Sequence, residues 1–360
     1  MNTKLRNIKT LSLLIAATMM QTAWADIPRT ADGKPDLNGS YNVATLTPTQ
    51  RPKLFGEKEY LTKEEADKMA ADEAALIAEG DEELDPDRAA PPKGGDGNFE
   101  LGAGGVGGYN TFWIDRGDGA ASVDGKFRTS IVTEPSNGRF PEFTGAAKMR
   151  LAKRYANYGK VAAANDRAWW LEEGEDVEGP YDDPEVRTTS DRCLQGFGST
   201  GGPPMLPTLY NNVKRIVQTP DHILILIEMV HDSRIVRMNS EHISPDIRKW
   251  MGDSIGHWEG DTLVIDTTNF NDTPGLYNAT RDLHVVERFT RTEDALHYSF
   301  TVEDPNTWTE PWSGSYNWPR SEETVYEYAC HEANYAMGNI LRGARILEAE
   351  YREKAAADKE

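Results

Sequence analysis

Short runs in which apolar and polar residues alternate fill the chain from residue 213 to residue 330. Over 296–303, and at most positions of 283–290, apolar side chains alternate with polar or charged side chains. A period of two is typical of strands with one dry face and one wet face. Alternating or β-branched runs predict further strands at 213–219, 223–229, 233–238, 255–259, 262–267, 312–318 and 324–330. The succession predicts a mainly β fold: an antiparallel meander that closes as a barrel or sandwich, with a lipocalin-like barrel as one form.

The residues before this β-rich part predict an N-terminal α+β portion. Segment 26–52 is rich in Pro, Gly and Asn, which predicts an irregular arm. Thr62 and Glu65 form a capping box, which predicts a surface helix over 62–78. Segment 80–108 is acidic, then Pro-rich, then Gly-rich, and this composition indicates little regular structure.

A basic helix, two short strands and a C-terminal helix complete the pattern. Segment 146–158 predicts a helix whose Lys and Arg side chains are expected to pair with the acidic surface of the protein itself. Runs 109–114 and 127–133 predict strands that add to the sheet, and 332–357 predicts a charged helix. The chain thus divides into a leader over 1–25, an arm, helix and loop over 26–108, and a β-rich body with the C-terminal helix over 109–360.

The first 25 residues have the composition of a secretory signal peptide. Lys4, Arg6 and Lys9 precede an apolar stretch over 11–20, which is shorter than the roughly 20 residues that a membrane span needs. Small residues then lead to Ala25, where a signal peptidase is expected to cut. No later segment has the length and apolar character of an anchor. We therefore expect a periplasmic or secreted protein without membrane insertion.

Net charge excludes some partners, and the cysteine content predicts a cross-link. The formal net charge is −20, and loss of the three positive charges of the leader takes it to −23. Nucleic acids and anionic membranes need a concentrated basic patch, so neither is an expected partner. The two cysteines, Cys193 and Cys330, are expected to form a disulfide in an oxidising compartment. Closing so long a loop would stabilise the fold by about 3–5 kcal/mol; the alternative is two buried thiols.

Three familiar motifs occur in contexts that argue against their usual chemistry. Gly102, Gly104 and Gly107 match G-x-G-x-x-G, but they follow a polar loop and precede a strand-like run, whereas dinucleotide binding needs a following helix. Ser254 lies in a G-x-S-x-G match that leads into a hairpin pattern and not into the helix of a hydrolase elbow. The seven histidines lack zincin spacing. We therefore expect no cofactor and no metal.

The densest group of reactive side chains flanks neighbouring predicted strands and comprises His231, Asp232, Arg234, Asp253, Ser254, His257 and Glu259. A meander could bring them to one end of a barrel, where a histidine beside a carboxylate suits general acid–base catalysis. His231 is the expected proton-transfer group, Asp232 its orienting partner and Arg234 the group that binds developing negative charge. His257 and Glu259 form a second acid–base pair. The alternative is a polar strand edge whose hydrogen bonds are satisfied.

Several tryptophans recur at strand spacing. Trp250, Trp258 and Trp312 are the candidates for an apolar pocket that binds substrate. The alternative is that they are ordinary core residues, as tryptophan at strand spacing often is.

Several segments together resemble a large group of uncharacterised exported bacterial proteins. The most specific is 250–270, WMGDSIGHWEGDTLVIDTTNF, and the others are 31–39 (ADGKPDLNG), 109–115 (YNTFWID), 192–194 (RCL) and 328–335 (YACHEANY). The resemblance extends over nearly all of the mature chain. It implies export and a β-rich body, and it attaches no activity or catalytic residue.

Three functions fit these patterns. The first is a cofactor-independent periplasmic enzyme, a hydrolase, lyase or isomerase, that acts on a small, partly apolar molecule by acid–base chemistry. The second is a periplasmic module that binds a small molecule without converting it. The third is a structural partner in an envelope complex, which docks through segment 80–108. A polar cluster inside a cavity favours the first function, a polar rim favours the second, and the third predicts no cavity.

Overall fold

The computed structural model describes residues 27–81, 87, 114–163, 168–172, 181–196, 198–332 and 334–358. The predicted signal peptide, most of segment 80–108 and the G-x-G-x-x-G glycines lie outside the described residues. So do five of the six residues of the strand predicted over 109–114.

A closed barrel of nine strands forms the body of the described chain. In chain order the strands are β1 (Gly39–Asn42), β2 (Tyr60–Leu61), β3 (Ser122–Val123), β4 (Lys126–Arg128), β5 (Val132–Glu134), β6 (Val213–Gln218), β7 (His222–Ile227), β8 (Ser233–Met238), β9 (Asp253–Glu259), β10 (Thr262–Thr268), β11 (His284–Arg291), β12 (Ala295–Glu303) and β13 (Trp312–Ser321). The barrel runs from β1 to β6 and on in order to β13, which pairs again with β1. β5 extends the sheet at β13, and β2, β4 and β3 form a separate small sheet.

The mainly β fold is confirmed, and two features distinguish its closure from a simple meander. β8 and β9 pair in parallel because the chain over 239–252 crosses back before β9 begins. β1 belongs to the arm predicted to be irregular, yet it pairs with β6 on one side and with β13 on the other. Closure gives partners to backbone groups that an open edge would leave exposed.

Two predicted strands differ from the structure. Segment 324–330 has no ladder partner among the described residues, because β12, β1 and β5 already occupy the edges of β13. The single strand predicted over 127–133 is instead two strands, β4 and β5, in different sheets.

Three helices lie close to the predicted positions: α1 (Lys63–Gly80), α2 (Gly145–Ala163) and, numbered after the short α3 (Trp169–Glu172), α4 (Tyr335–Ala357). The short helix α3 was not predicted. The predicted capping box is confirmed, because the Thr62 hydroxyl accepts the Glu65 N–H while the Glu65 carboxylate accepts the Thr62 N–H. Trp170 Nε1 donates to Glu348 Oε1 at 3.0 Å, which joins α3 to α4. Within the described part of the chain, no helix combines the length and the apolar character of a membrane span.

The barrel interior is a packed core. Its largest inward side chains are aromatic and almost fully buried: Phe289, Tyr298, Phe300, Trp312, Tyr316 and Trp318. A buried segment over 199–206, here called the plug, enters the barrel beside them. The Met205 N–H donates to the Tyr298 hydroxyl oxygen and the Met205 carbonyl accepts from the Tyr316 hydroxyl, each at 2.9 Å. The plug therefore fills the interior that an open lipocalin-like calyx would leave free.

Candidate functional site

An enclosed ion pair lies in the barrel core. Arg234 of β8 donates to both carboxylate oxygens of Glu287 on β11, at 3.2 and 2.5 Å, and both side chains are at most 2% exposed. Tyr298 also donates its hydroxyl to Glu287, at 2.8 Å. A bidentate pair of this kind satisfies the buried carboxylate. Glu287 therefore binds the guanidinium group of Arg234. The sequence predicted that Arg234 binds negative charge developing on a substrate, but in the structure its partner is a carboxylate of the protein itself.

A buried lysine lies in the same interior. Lys214 of β6 is 0% exposed, and its Nζ has no hydrogen-bond partner among the described residues. Burial lowers its pKa from 10.5 to about 7, while the charges of Glu228 and Asp232 act in the opposite direction. Lysine is almost never fully buried without a partner, and lysines with such lowered pKa values cluster at functional sites. Lys214 is therefore the strongest single candidate for chemistry in the described chain.

A strained turn holds the two carboxylates near Lys214. β7 ends before Glu228, β8 begins after Asp232, and Val230 lies between them with φ of 60° and ψ of 18°. A β-branched residue rarely adopts this left-handed conformation, which costs of the order of 1–3 kcal/mol and persists where surrounding contacts impose it. Asp232 Oδ2 lies 3.4 Å from the position that a Cβ atom on Gly201 would take. The turn thus places the Asp232 carboxylate against the plug, whereas Glu228 is itself buried, with 6% of its surface exposed.

Glu228 connects the buried lysine to a large cleft. One of its carboxylate oxygens accepts the Val213 N–H and the other accepts the Tyr326 N–H, each at 3.3 Å. The cleft, here called the disulfide cleft, has a volume of about 950 Å³ and is lined by Glu228, by aromatic side chains such as Tyr210 and by both cysteines. Its size suits a small organic ligand. Glu228 is therefore a carboxylate that a bound molecule could reach.

The predicted disulfide is confirmed. Cys193 and Cys330 are joined with an S–S distance of 2.07 Å and a sequence separation of 137 residues. The bond fastens the loop before the plug to the segment that follows β13, and both segments line the disulfide cleft. A disulfide of this kind fits an oxidising compartment.

The seven predicted catalytic residues do not converge on one site. Arg234 lies in the barrel interior, Asp232 is partly buried beside the plug, and Ser254 points inward, where its hydroxyl is 2.8 Å from that of Thr267. His257 and Glu259 lie on the outer surface, about half exposed and 3.3 Å apart. This division follows from the strand period, because residues of opposite parity on β9 face opposite sides of the wall. The His231 backbone belongs to the turn before β8, and its side chain lies outside the described part of the structure.

The three predicted substrate-binding tryptophans have separate environments. Trp312 is fully buried and packs against Phe140 and Phe300 with centroid distances of 4.5 and 5.7 Å. Trp250 is 36% exposed, and Trp258 lies under the ammonium group of Lys34 at 5.7 Å. The interpretation of Trp312 as a core residue therefore fits its position, and no tryptophan of this set lines the disulfide cleft.

Asp253 belongs to a row of alternating carboxylates and imidazoles on the outer barrel wall. His242 lies between Asp253 and Asp266, with ring nitrogens 3.1 and 3.0 Å from their oxygens, and His284 continues the row at 3.1 Å from Asp266. Lys249 also donates to Asp253 at 3.0 Å. Burial alone would raise the pKa of Asp253 and of Asp266, but these hydrogen bonds lower both pKa values overall. Both carboxylates of the row are therefore held by hydrogen bonds with basic side chains.

We expect the contribution of His284 to stability to depend on pH. The hydrogen bond to Asp266 raises the pKa of His284 above its ordinary value, against the effect of burial. The ion pair therefore stabilises the fold fully at pH values below the unfolded pKa and is lost as pH rises through the folded pKa. Replacing His284 with Gln should lower the free energy of unfolding by less than about 1 kcal/mol near pH 5.5, because the pair is partly solvated, and by nothing near pH 9.

Urea unfolding of both proteins at the two pH values measures this effect. His222→Gln, at an exposed position on β7, is the matched control and should show no difference at either pH. A loss of the same size at both pH values for His284→Gln would contradict the ion-pair explanation.

Sequence reasoning missed two residues of the candidate site, Lys214 and Glu228. Lys214 has the same strand parity as Ile216, which places a cation on the dry face of β6. A lysine at an apolar position of a strand was visible in the sequence. The proximity of Glu228 and Asp232 to Lys214 was not, because it depends on the turn between β7 and β8. In the described part of the chain, no group of three or more His, Cys, Asp or Glu side chains has the arrangement of a metal site.

Comparisons with known proteins do not identify a related protein of known function. No protein-family model matches the chain, and a search of curated proteins finds no similar sequence. The resemblance of segment 250–270 to exported bacterial proteins therefore stays a prediction.

Proposed function

We propose that this protein is a cofactor-independent acid–base enzyme that acts on a small, partly apolar molecule bound in the disulfide cleft. The observation that carries the proposal is Lys214, a fully buried amine without a hydrogen-bond partner among the described residues, next to a carboxylate that lines the cleft. Near pH 7 such an amine exists in both protonation states, which is the condition for efficient proton transfer.

In this proposal Glu228 meets the bound molecule and Lys214 serves as its proton reservoir. The Glu228 carboxylate is held by two backbone N–H groups and faces the cleft. It removes a proton from the substrate. Because Lys214 Nζ lies beyond hydrogen-bond distance of Glu228, neutral Lys214 accepts that proton through one intervening water, and the ammonium form then returns it to the product by the same route. Asp232 supplies a second negative charge that acts on Lys214. Lys214 thus takes the role that sequence reasoning assigned to His231, and His257 and Glu259 take no part.

The proposal includes export. We infer that the chain is cleaved after Ala25 and that the mature protein works in the periplasm, where its disulfide forms. The mass of the protein recovered from the periplasmic fraction tests this directly: a chain that begins at Asp26 is expected, and an uncleaved cytoplasmic chain would contradict it.

The catalytic proposal is tested by incubating the mature chain with a small-molecule extract of bacterial periplasm and following all compounds by mass spectrometry. We expect at least one compound to be consumed. Glu228→Gln and Lys214→Met should each slow this conversion by about 100-fold or more, the usual contribution of general acid–base catalysis. Glu259→Gln, which changes a carboxylate on the outer surface, is the matched control and should convert the compound at the wild-type rate.

The other outcomes distinguish the alternatives. Conversion that persists in both variants would place the chemistry elsewhere. A compound that binds the wild type but not Glu228→Gln, and that is never converted, would favour the binding module. This second function has its own support, since the cleft also presents the apolar and aromatic side chains of Tyr326, Tyr328 and Ile340. If no compound is bound and none is converted, both functions are contradicted.

A further inference from the structure

A second cleft, separate from Lys214 and Glu228, gathers positive charge in an acidic protein. It has a volume of about 580 Å³ and lies between α2, the segment 185–192 and the loop 272–279. Four arginines line it: Arg150, Arg154, Arg187 and Arg192. We call it the arginine cleft. Since the formal net charge of the chain is −20, this concentration of guanidinium groups is opposite in sign to the rest of the protein.

The two arginines of α2 lie one turn apart and so share one face of the helix. Arg150 donates to the carbonyl oxygens of Asn306 and Asn278, at 3.1 and 3.5 Å, and to the Thr307 hydroxyl at 3.2 Å. All three acceptors are neutral. The Arg154 guanidinium lies over the Tyr277 ring, 5.0 Å from its centroid. Neither arginine forms an ion pair within the described structure, although the sequence pattern predicted pairing with the acidic surface.

The opposite wall carries the other two arginines. Arg187 forms an ion pair with Asp191 at 3.0 Å and lies over the ring of Tyr181. Its Nε is buried and has no hydrogen-bond partner among the described residues. Arg192 is partly buried and forms no ion pair in the same described set. The wall thus keeps guanidinium donors that no described residue of the protein uses.

The acidic residues of the cleft do not balance this charge. Glu185 and Asp272 line it, and Asp272 is bound by Arg281 at 2.5 Å, outside the group of four. Hydroxyl groups of Thr188, Thr189 and Thr273 add further polar donors to the lining. Guanidinium groups bind carboxylate and phosphate oxygens through paired N–H donors, and a cleft lined by one sign of charge attracts ions of the other.

We propose that the arginine cleft binds a small molecule with two or more anionic groups, phosphate or carboxylate. Arg150 and Arg154 hold one group, and Arg187 and Arg192 hold another across the cleft. The cleft is large enough for a metabolite-sized ligand. This site is separate from the proposed chemistry at Lys214, because the linings of the two clefts have one described residue in common, Ser190.

Calorimetric titration of the mature protein with pyrophosphate and with citrate, at low salt, tests the site. We expect one of the two to bind, and binding should weaken by at least 5-fold when the salt concentration is raised 10-fold. Tighter binding of pyrophosphate by 10-fold or more would assign the phosphate class, and the reverse order would assign the carboxylate class. If neither anion binds, the proposal is wrong.

Substitutions locate the binding and separate it from folding. Arg154→Gln removes a side chain whose described interaction is with a ring, so the fold should persist, and we expect affinity to fall by at least 10-fold. Arg150→Gln/Arg187→Gln should abolish binding. Arg342→Gln, an exposed position on α4, is the matched control and should keep the wild-type affinity within 2-fold. Equal binding by wild type and Arg154→Gln, with the wild-type melting temperature in both, would overturn the assignment.

Discussion

Replacing Lys214 with methionine is expected to stabilise the protein by about 5 kcal/mol near pH 6.5. The folded pKa of about 7 lies far below the ordinary value of 10.5 because the ammonium group loses its hydration in the barrel. At ~1.4 kcal/mol for each pKa unit, the gap between these values corresponds to about 5 kcal/mol that the folded state loses at neutral or lower pH. Methionine has a similar length and no charge, so it removes this cost and fills the same space.

The stabilisation should fade as pH rises. Between about pH 7 and pH 10.5 the unfolded chain binds the lysine proton and the folded protein does not, so the free energy of unfolding of the wild type rises with pH. Near pH 9.5 we expect the advantage of Lys214→Met to shrink to about 1–2 kcal/mol. A gain in stability together with loss of conversion would identify Lys214 as a residue kept for function at the expense of stability.

Urea unfolding at about pH 6.5, 8 and 9.5 measures both effects. Lys68→Met is the matched control, because Lys68 is an exposed lysine on α1 paired with Asp72. It should cost only a few tenths of a kcal/mol at every pH. Parallel pH profiles for wild type and Lys214→Met would show that the buried amine is not held neutral, and would remove the main support for the proposed chemistry.

Breaking the Arg234–Glu287 pair from either side is expected to destabilise the protein by about 3–5 kcal/mol, the usual cost of a buried charge left without its partner. In Arg234→Met the carboxylate keeps only the Tyr298 hydroxyl as a donor. In Glu287→Leu the guanidinium keeps its charge in a core of mostly aromatic and aliphatic side chains. The double variant Arg234→Met/Glu287→Leu removes both charges and should cost less than either single variant.

Denaturant unfolding of the three variants forms a double-mutant cycle that isolates the coupling. The pair Lys63–Asp67 on α1 is the control, since both side chains are more than 60% exposed. Lys63→Met should cost under about 0.5 kcal/mol. Additive losses in the Arg234 and Glu287 variants would contradict a direct interaction between the two side chains.

The position of most barrel strands followed from the sequence because their cause is local. A period of two requires only that one face be dry, and it located β11 and β12 to within a residue or two. The capping box at Thr62 is likewise a contact within one helical turn. By contrast, β1 has no such pattern, and its four residues are a strand because two distant edges need a partner. The sequence also could not show that other strands already pair with both edges of β13, which leaves segment 324–330 without a strand partner among the described residues.

The candidate site shows the same division. The sequence by itself determined the strand parity that points Lys214 and Arg234 inward and sends His257 and Glu259 outward, since parity is a property of one strand. It also determined that two cysteines were available to cross-link distant parts of the chain. Only the tertiary structure decided that Arg234 faces Glu287, that Lys214 lies within the electrostatic influence of two carboxylates, and that two pairs of arginines from separate segments converge. These spatial relations depend on the register of the strands and on closure of the barrel. The whole barrel sets both, because the position of each strand depends on the strands that pair with it.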